Sequence, residues 1–294
     1  MPRLRRLDAA APHSSRALTE HASIVVIVSP GIQIGPLAFS FSLLLVLGAA
    51  GAALFVGRRL SRASAHEVES LLWQTLIVGL VAARLVFVAQ YREAYLTSPL
   101  GIVDIRDGGW APVAGFIGAA LFAFVRQLRR PMVRTPLWSA FATGAVIWGV
   151  GTLALNFGTV ERQTLPPIAL ISVDGTPVKL DDFKGKPTVV NLWATWCPPC
   201  VREMPVLQQA QVDHPAVNFV FVNAGEPAER VHAWLQIRKL RLMNVLLDAT
   251  NQTTTHFKTP GLPTTLFFDA SGVLVSVRMG EVSRATLMER LQAL

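Results

Sequence analysis

The sequence has only two cysteines, Cys197 and Cys200, three residues apart. One such pair excludes a disulfide framework, and a structural zinc site asks for about four ligands. The two thiols are therefore either incidental or the chemistry itself. Charge is also scarce: 16% of residues are charged against 51% hydrophobic, where an ordinary soluble protein carries about a quarter charged. With a mean hydropathy of +0.42, the chain cannot be soluble throughout. The apolar excess lies before residue 156, which predicts a membrane domain followed by a soluble one. The net charge of +8 comes without a groove-reading motif, which argues against nucleic acid as a partner. No Met or His cluster accompanies the thiols, which counts against the Cu(I) handling that two soft ligands would otherwise allow. No metal and no cofactor are expected.

What is present early in the chain is apolar. Four windows reach the roughly 20 residues that a spanning helix needs, at about 33–56, 71–91, 110–126 and 137–156. The third and fourth are rich in Gly and Ala, which suits close helix packing in lipid. A cleavable signal peptide fits poorly, because the first window is long and three more follow it. The apolar run at 24–28 is too short to span and reads as an interfacial lead-in. Arg58, Arg59 and Arg62 follow the first window, and Arg126, Arg129, Arg130 and Arg134 follow the third. The middle loop has Arg92 and Arg106, offset by Glu93, Asp104 and Asp107. Basic loops stay cytoplasmic, so both termini are predicted outside, against the pull of Arg3, Arg5, Arg6 and Arg16. The expected organisation is an N-terminal segment at 1–29, a transmembrane domain at 30–156, a linker at 157–166 and a soluble domain at 167–294. Arg84 lies inside the second window, where a charge facing the bundle interior or a cavity is a functional candidate, the plainer readings being pairing with a carbonyl or snorkelling to the surface.

The stretch IQIGPLAFSFSLLLVLG, then ARLVFV at 83–88, Tyr91, Tyr95, Pro99 and GGWAPVAGFIGA at 108–119 resemble prolipoprotein diacylglyceryl transferase over residues 30–158. The resemblance covers about half of that family's length. It places Val113 where the family has a histidine and Gly149 where it has an essential arginine. A lipid transferase without those two groups has no evident means of activating a thiol or holding a phospholipid. The resemblance thus implies a retained scaffold with lost chemistry, residual transfer activity being the lesser alternative.

After Asn156 the pattern becomes short apolar runs between Pro, Thr, Asp and Lys. Strands are predicted at 168–172, 187–193, 217–223 and 244–248, with a turn at Asp174-Gly175. Helices are predicted at 198–213, kinked by Pro205, and at 227–240. Strands at 263–269 and 272–280 make a hairpin, and a helix at 283–293 closes the chain. This order gives an α/β fold with a mixed sheet.

The segment Trp193-Ala194-Thr195-Trp196-Cys197-Pro198-Pro199-Cys200 follows a buried strand and opens a helix. That context separates a redox pair from half of a zinc site. Free N–H groups at a helix start favour a thiolate at Cys197, which is the nucleophile in thiol–disulfide exchange. Cys200, one turn on, would resolve the mixed disulfide. The bland alternative is two cysteines packed as small apolar residues.

Residues 163–294, through NLWATWCPPCVREMP at 191–205 and TPGLPTTLFFDASG at 259–272, resemble the TlpA/ResA-like branch of the thioredoxin superfamily. Those proteins are extracytoplasmic, membrane-tethered thiol–disulfide oxidoreductases. The resemblance implies a thioredoxin-like fold, with Pro263 as the cis-proline after Leu262, set beside the cysteines to pair with substrate. Trp193 and Trp196 are expected to be part core and part substrate platform, with Trp196 as the substrate-binding candidate. Asn191 stands where thioredoxin has a buried aspartate, and Glu203 takes a proton-transfer or tuning role. The plainer readings are a strand-start proline at 263 and a solvated carboxylate at 203. The implied setting is the periplasmic face of a bacterial inner membrane, with disulfide-bearing protein substrates, those of cytochrome c maturation among the candidates. No thiol exists in the membrane half, so a reductant would need an outside donor such as a DsbD/CcdA-like protein. An oxidant of the same fold would need a quinone-coupled partner.

Overall fold

The computed structural model describes residues 27–28, 31–34, 37–61, 65–96, 99–104, 107–128, 133–157, 163–259 and 261–294. Arg3, Arg5, Arg6, Arg16, Arg62, Arg106, Arg129 and Arg130, on which the orientation argument partly rests, lie outside the described residues. So do residues 24–26 of the lead-in and 158–162 of the linker.

The N-terminal half is helical. After a two-residue strand β1 (Ile27–Val28) comes an antiparallel hairpin, β2 (Gly31–Ile34) with β3 (Leu37–Ser40). The helices are α1 (Phe41–Leu60), α2 (Ala65–Gln90), the short α3 (Arg92–Leu96), α4 (Pro112–Leu128) and α5 (Arg134–Phe157). The first apolar window predicts helix from residue 33, yet α1 begins only at Phe41. Residues 31–34 and 37–40 of that window pair instead as the β2–β3 hairpin. α2 starts earlier than its window because His66, Glu67 and Glu69 extend the helix without adding hydropathy. By length and composition, His66–Gln90 and Arg134–Leu155 are long and apolar enough to cross a membrane, while Pro112–Leu128 is apolar but shorter. α1 packs along α5, and α2 along α4. At the α2–α4 contact a Cβ on Gly79 would lie 3.1 Å from the Gly115 carbonyl oxygen, so small residues set the closeness of the two helices.

The C-terminal half holds β4 (Ala169–Ser172), β5 (Pro177–Lys179), β6 (Thr188–Trp193), α6 (Pro198–Asp213), β7 (Asn218–Ala224) and α7 (Ala228–Arg238). It continues with β8 (Val245–Asp248), α8 (Gln252–His256), β9 (Thr264–Phe268), β10 (Leu274–Met279) and α9 (Arg284–Leu291). The sheet order is β1-β10-β9-β6-β7-β8-β4-β5. β6 lies inside it, parallel to β7 and antiparallel to β9, which makes the sheet mixed as the sequence pattern implies.

Every residue of β6 is buried. Val189 and Trp193 join the core against α6, α7 and α9, whereas Val190 and Leu192 join the core on the opposite face. That two-faced burial is why the strand reads as a continuous apolar run instead of an alternating one. Asn191 is the exception, an amide pointing to the α6 side. α8 has no apolar periodicity and was not legible in the sequence. Asp248 builds it by accepting the N–H groups of Gln252 at 2.9 Å and Thr253 at 2.7 Å.

The run at 24–28 departs from its reading as an interfacial lead-in. Ile27 and Val28 instead pair in parallel with Ser276 and Val277 of β10, at the edge of the C-terminal sheet. The two halves also meet through side chains: Phe87, Ala94 and Tyr95 form a buried apolar cluster with Ala285 of α9.

Candidate active site

β6 ends at Trp193, three residues turn the chain, and α6 begins at Pro198 with Cys197 as its N-cap in extended conformation. Pro198 and Pro199 carry no N–H, so the first amide donor of the helix belongs to Cys200. That N–H points at the Cys197 sulfur, 3.3 Å away. Helix-start polarity is thus delivered to one atom, the sulfur that would bear negative charge as a thiolate. Cys197 and Cys200 form a disulfide, with an S–S distance of 2.04 Å and a Cα–Cα distance of 5.3 Å. Both are buried, in one cluster with Trp193, Ala194, Met204 and Leu207.

The two tryptophans of the motif separate. Trp193 is wholly buried, its ring 5.1 Å from that of Trp234. Trp196 is 66% exposed beside the cysteines, a flat apolar face open to solvent.

Glu203 sits one turn beyond Cys200 with no exposed surface, so it is no solvated helix carboxylate. Its Oε1 accepts the Asn191 side-chain N–H at 2.7 Å, and its Oε2 accepts the backbone N–H of Val282 at 2.8 Å. Burial pushes its pKa up to about 8; those two hydrogen bonds and Arg278 pull it down, while Glu281 pushes it up. A carboxyl poised near neutrality can hold or accept a proton at working pH.

Leu262–Pro263 is a cis peptide bond. Leu262 is half-buried and packs against the cluster that contains both cysteines. Pro263 is buried, and its carbonyl accepts the N–H of Gly280 at 2.9 Å.

One group escaped the sequence reading. Glu226 is buried and accepts from the Thr195 N–H at 2.7 Å, the Thr195 hydroxyl at 2.5 Å and the Asn223 side chain at 2.8 Å. It fastens the loop that carries Trp196 and Cys197. Asn191 orients Glu203 and also donates to the Thr265 hydroxyl at 3.1 Å. The sequence reading named Asn191 at the buried-aspartate position; its hydrogen bond to Glu203 is what the structure adds.

In the helical half, Arg84 is buried and saturated. Its Nη1 and Nη2 bond both oxygens of Asp107, and its other bonds reach the carbonyls of Gly101, Ile102, Asp104 and Gly109. It ties α2 to the 99–110 segment, which is the carbonyl-pairing alternative of its sequence reading. Val113, which the sequence resemblance sets against the transferase histidine, is 69% exposed at the start of α4. Among the described residues no group of three or more His, Cys, Asp or Glu side chains is placed to hold a metal ion.

Comparison with known proteins divides the chain in the same way. The Redoxin family model matches residues 161–291, and the prolipoprotein diacylglyceryl transferase model matches residues 31–159. Thiol-disulfide oxidoreductase ResA of Bacillus subtilis is 29% identical over 167 residues, covering 55% of this chain and 92% of that protein. ResA of Geobacillus thermodenitrificans is 28% identical over 150 residues, covering 49% of this chain and 86% of the relative. Among solved structures, a secreted Mycobacterium tuberculosis disulfide oxidoreductase is 27% identical with a TM-score of 0.40, covering 44% of this chain and 96% of that one. The C-terminal half of the chain is a Redoxin domain of the thiol–disulfide oxidoreductase type, joined to an N-terminal half that matches the prolipoprotein diacylglyceryl transferase family.

Proposed function

We propose that the chain is a membrane-anchored reductant of protein disulfides on the periplasmic face of a bacterial inner membrane. The observation that carries this reading is the triad of Cys197 at the α6 N-cap, the Cys200 N–H aimed at its sulfur, and Glu203 buried one turn below. In the reduced protein, the Cys197 thiolate attacks one sulfur of a substrate disulfide. A mixed disulfide forms and the first substrate sulfur leaves as a thiolate. Cys200 then gives its proton to the Glu203 carboxylate and attacks Cys197, releasing the second substrate thiolate. Two electrons pass to the substrate, its two thiolates take up protons, and the Cys197–Cys200 disulfide is left.

Trp196 offers an exposed flat surface at the mouth, and Leu262 with Pro263 borders it. The chain contains no further cysteine, so re-reduction needs electrons from another protein. A membrane donor of the DsbD/CcdA kind fits that need, and oxidised thiols awaiting cytochrome c attachment fit as substrates. The transferase-like half would then serve as a multi-pass anchor, since its Val113 and Gly149 replace the groups that lipid transfer needs.

The test is insulin disulfide reduction beside the redox potential of the Cys197–Cys200 couple. We expect Cys197→Ser to abolish turnover and Cys200→Ser to trap mixed disulfides, with a potential well below that of glutathione. A potential near about −120 mV, in the range of strong thiol oxidants, would reverse the proposed direction.

A further inference from the structure

Three strands carry a polar rung across the sheet. Asn191 of β6 is the register partner of Thr265 of β9, and Thr265 is the register partner of Arg278 of β10. Directly opposed residues share a face of an antiparallel sheet. Arg278 therefore lies on the same side as Asn191 and Glu203. Beyond β10 the rung enters the helical half: the Arg278 guanidinium donates to the Asp107 carbonyl at 2.5 Å. The socket is shaped for it. Gly108 has φ +63°, and a Cβ there would lie 2.7 Å from both terminal nitrogens of Arg278. Arg84 holds the socket rigid through the Asp107 carboxylate, which also accepts from Tyr95 at 3.0 Å and from Ser283 at 3.4 Å. Ser283 caps α9, and its neighbour Val282 donates to Glu203. One turn of the helical half thus grips β10 and the start of α9, the two places from which Glu203 is approached.

We propose that Arg278, seated in the 107–109 turn, is a positioning residue for thiol exchange: docking of the two halves fixes its charge against Glu203 and so sets the pH at which the Cys197–Cys200 pair works. This rests on the proton-accepting role given to Glu203 above. The groups around Glu203 are few. On α6 they are Cys200 and Arg202, and Arg202 is paired with Glu281 at 2.6 Å. β6 and β9 contribute only the uncharged Asn191 and Thr265. Glu281 lies in the β10–α9 turn, while Glu289 and Arg290 of α9 act on Arg278. Arg278 is the cation of this set that draws Glu203 toward ionisation and is itself anchored in the other half.

The experiment uses the full chain in nanodiscs. It follows the pH dependence of oxidised glutathione reduction, alongside infrared titration of the Glu203 carboxyl assigned by its loss in Glu203→Gln. Replacing Arg278 with Met removes the positive charge, so the carboxyl should titrate higher, by on the order of half a pH unit or more. The rate inflection should move with it. Arg278→Lys should restore most of the wild-type profile. Gly108→Val, which alters no residue of the redox half, should shift the titration as Arg278→Met does. In the Glu203→Gln background neither change should move the rate profile. Wild-type titration in both folded Arg278→Met and folded Gly108→Val would overturn the proposal. The infrared reading separates this from the functional reading: a carboxyl that shifts in a chain unable to reduce the probe sinks the activity but not the coupling.

Discussion

At the scale of single residues, Glu203 governs how stability changes with pH. Its folded value of about 8 lies above the ordinary 4.5, so the folded state holds a proton that the unfolded state releases between those limits. Stability contributed by this group is complete below about pH 4.5, falls as pH rises, and is lost above about pH 8. At about 1.4 kcal/mol per unit, the span amounts to on the order of 5 kcal/mol. Glu203→Gln should flatten that fall, leaving the variant more stable than wild type at pH 9 and closer to it at pH 5. Denaturant unfolding followed by tryptophan fluorescence at the two pH values tests the sign. A variant whose stability falls with pH as steeply as wild type would show that Glu203 is not the group responsible.

At the scale of elements, the turn between β6 and α6 depends on an acid from another loop. Glu226 satisfies the Thr195 N–H, the Thr195 hydroxyl and Asn223, and its removal leaves buried donors unpaired. Glu226→Ala should cost about 2 kcal/mol and slow exchange by loosening Cys197, read as a lower unfolding midpoint together with a lower insulin reduction rate. Unchanged turnover would mean that the loop holds its shape unaided. The contrast with the sequence lies in range. β6, α6 and the cysteine pair were legible because an apolar run and a helix-start motif are local signals. The hairpin of β9 and β10 was legible for the same reason. Glu226 reaches Thr195 from 31 positions away, and no period or motif encodes such a contact. Arg278 meets Asp107 across 171 positions. α8 was missed because its start depends on the Asp248 side chain and not on a repeating apolar pattern.

At the scale of the whole molecule, the function proposed above predicts that the cysteines lie outside the cytoplasm. After reduction in intact spheroplasts, a membrane-impermeant maleimide should label Cys197, and Cys197→Ser should remove most of the signal. Labelling only after membrane rupture would overturn the orientation. The pairing of β1 with β10 bears on this as well. β1 precedes α1 and β10 follows α5 in the chain, so under the proposed membrane setting the helices between them would have to return to the side they left. The same pairing, with Arg278 seated at Asp107, limits how far the Redoxin domain can travel. A domain on a single linker sweeps a hemisphere and finds its clients by searching. This one is held to the helical half at two places, by β1 on β10 and by Arg278 at Asp107, so in the membrane setting proposed above its mouth would keep a fixed bearing. On the function proposed above, clients and electron donor would therefore present their sulfurs along one approach, and would have to use it in turn.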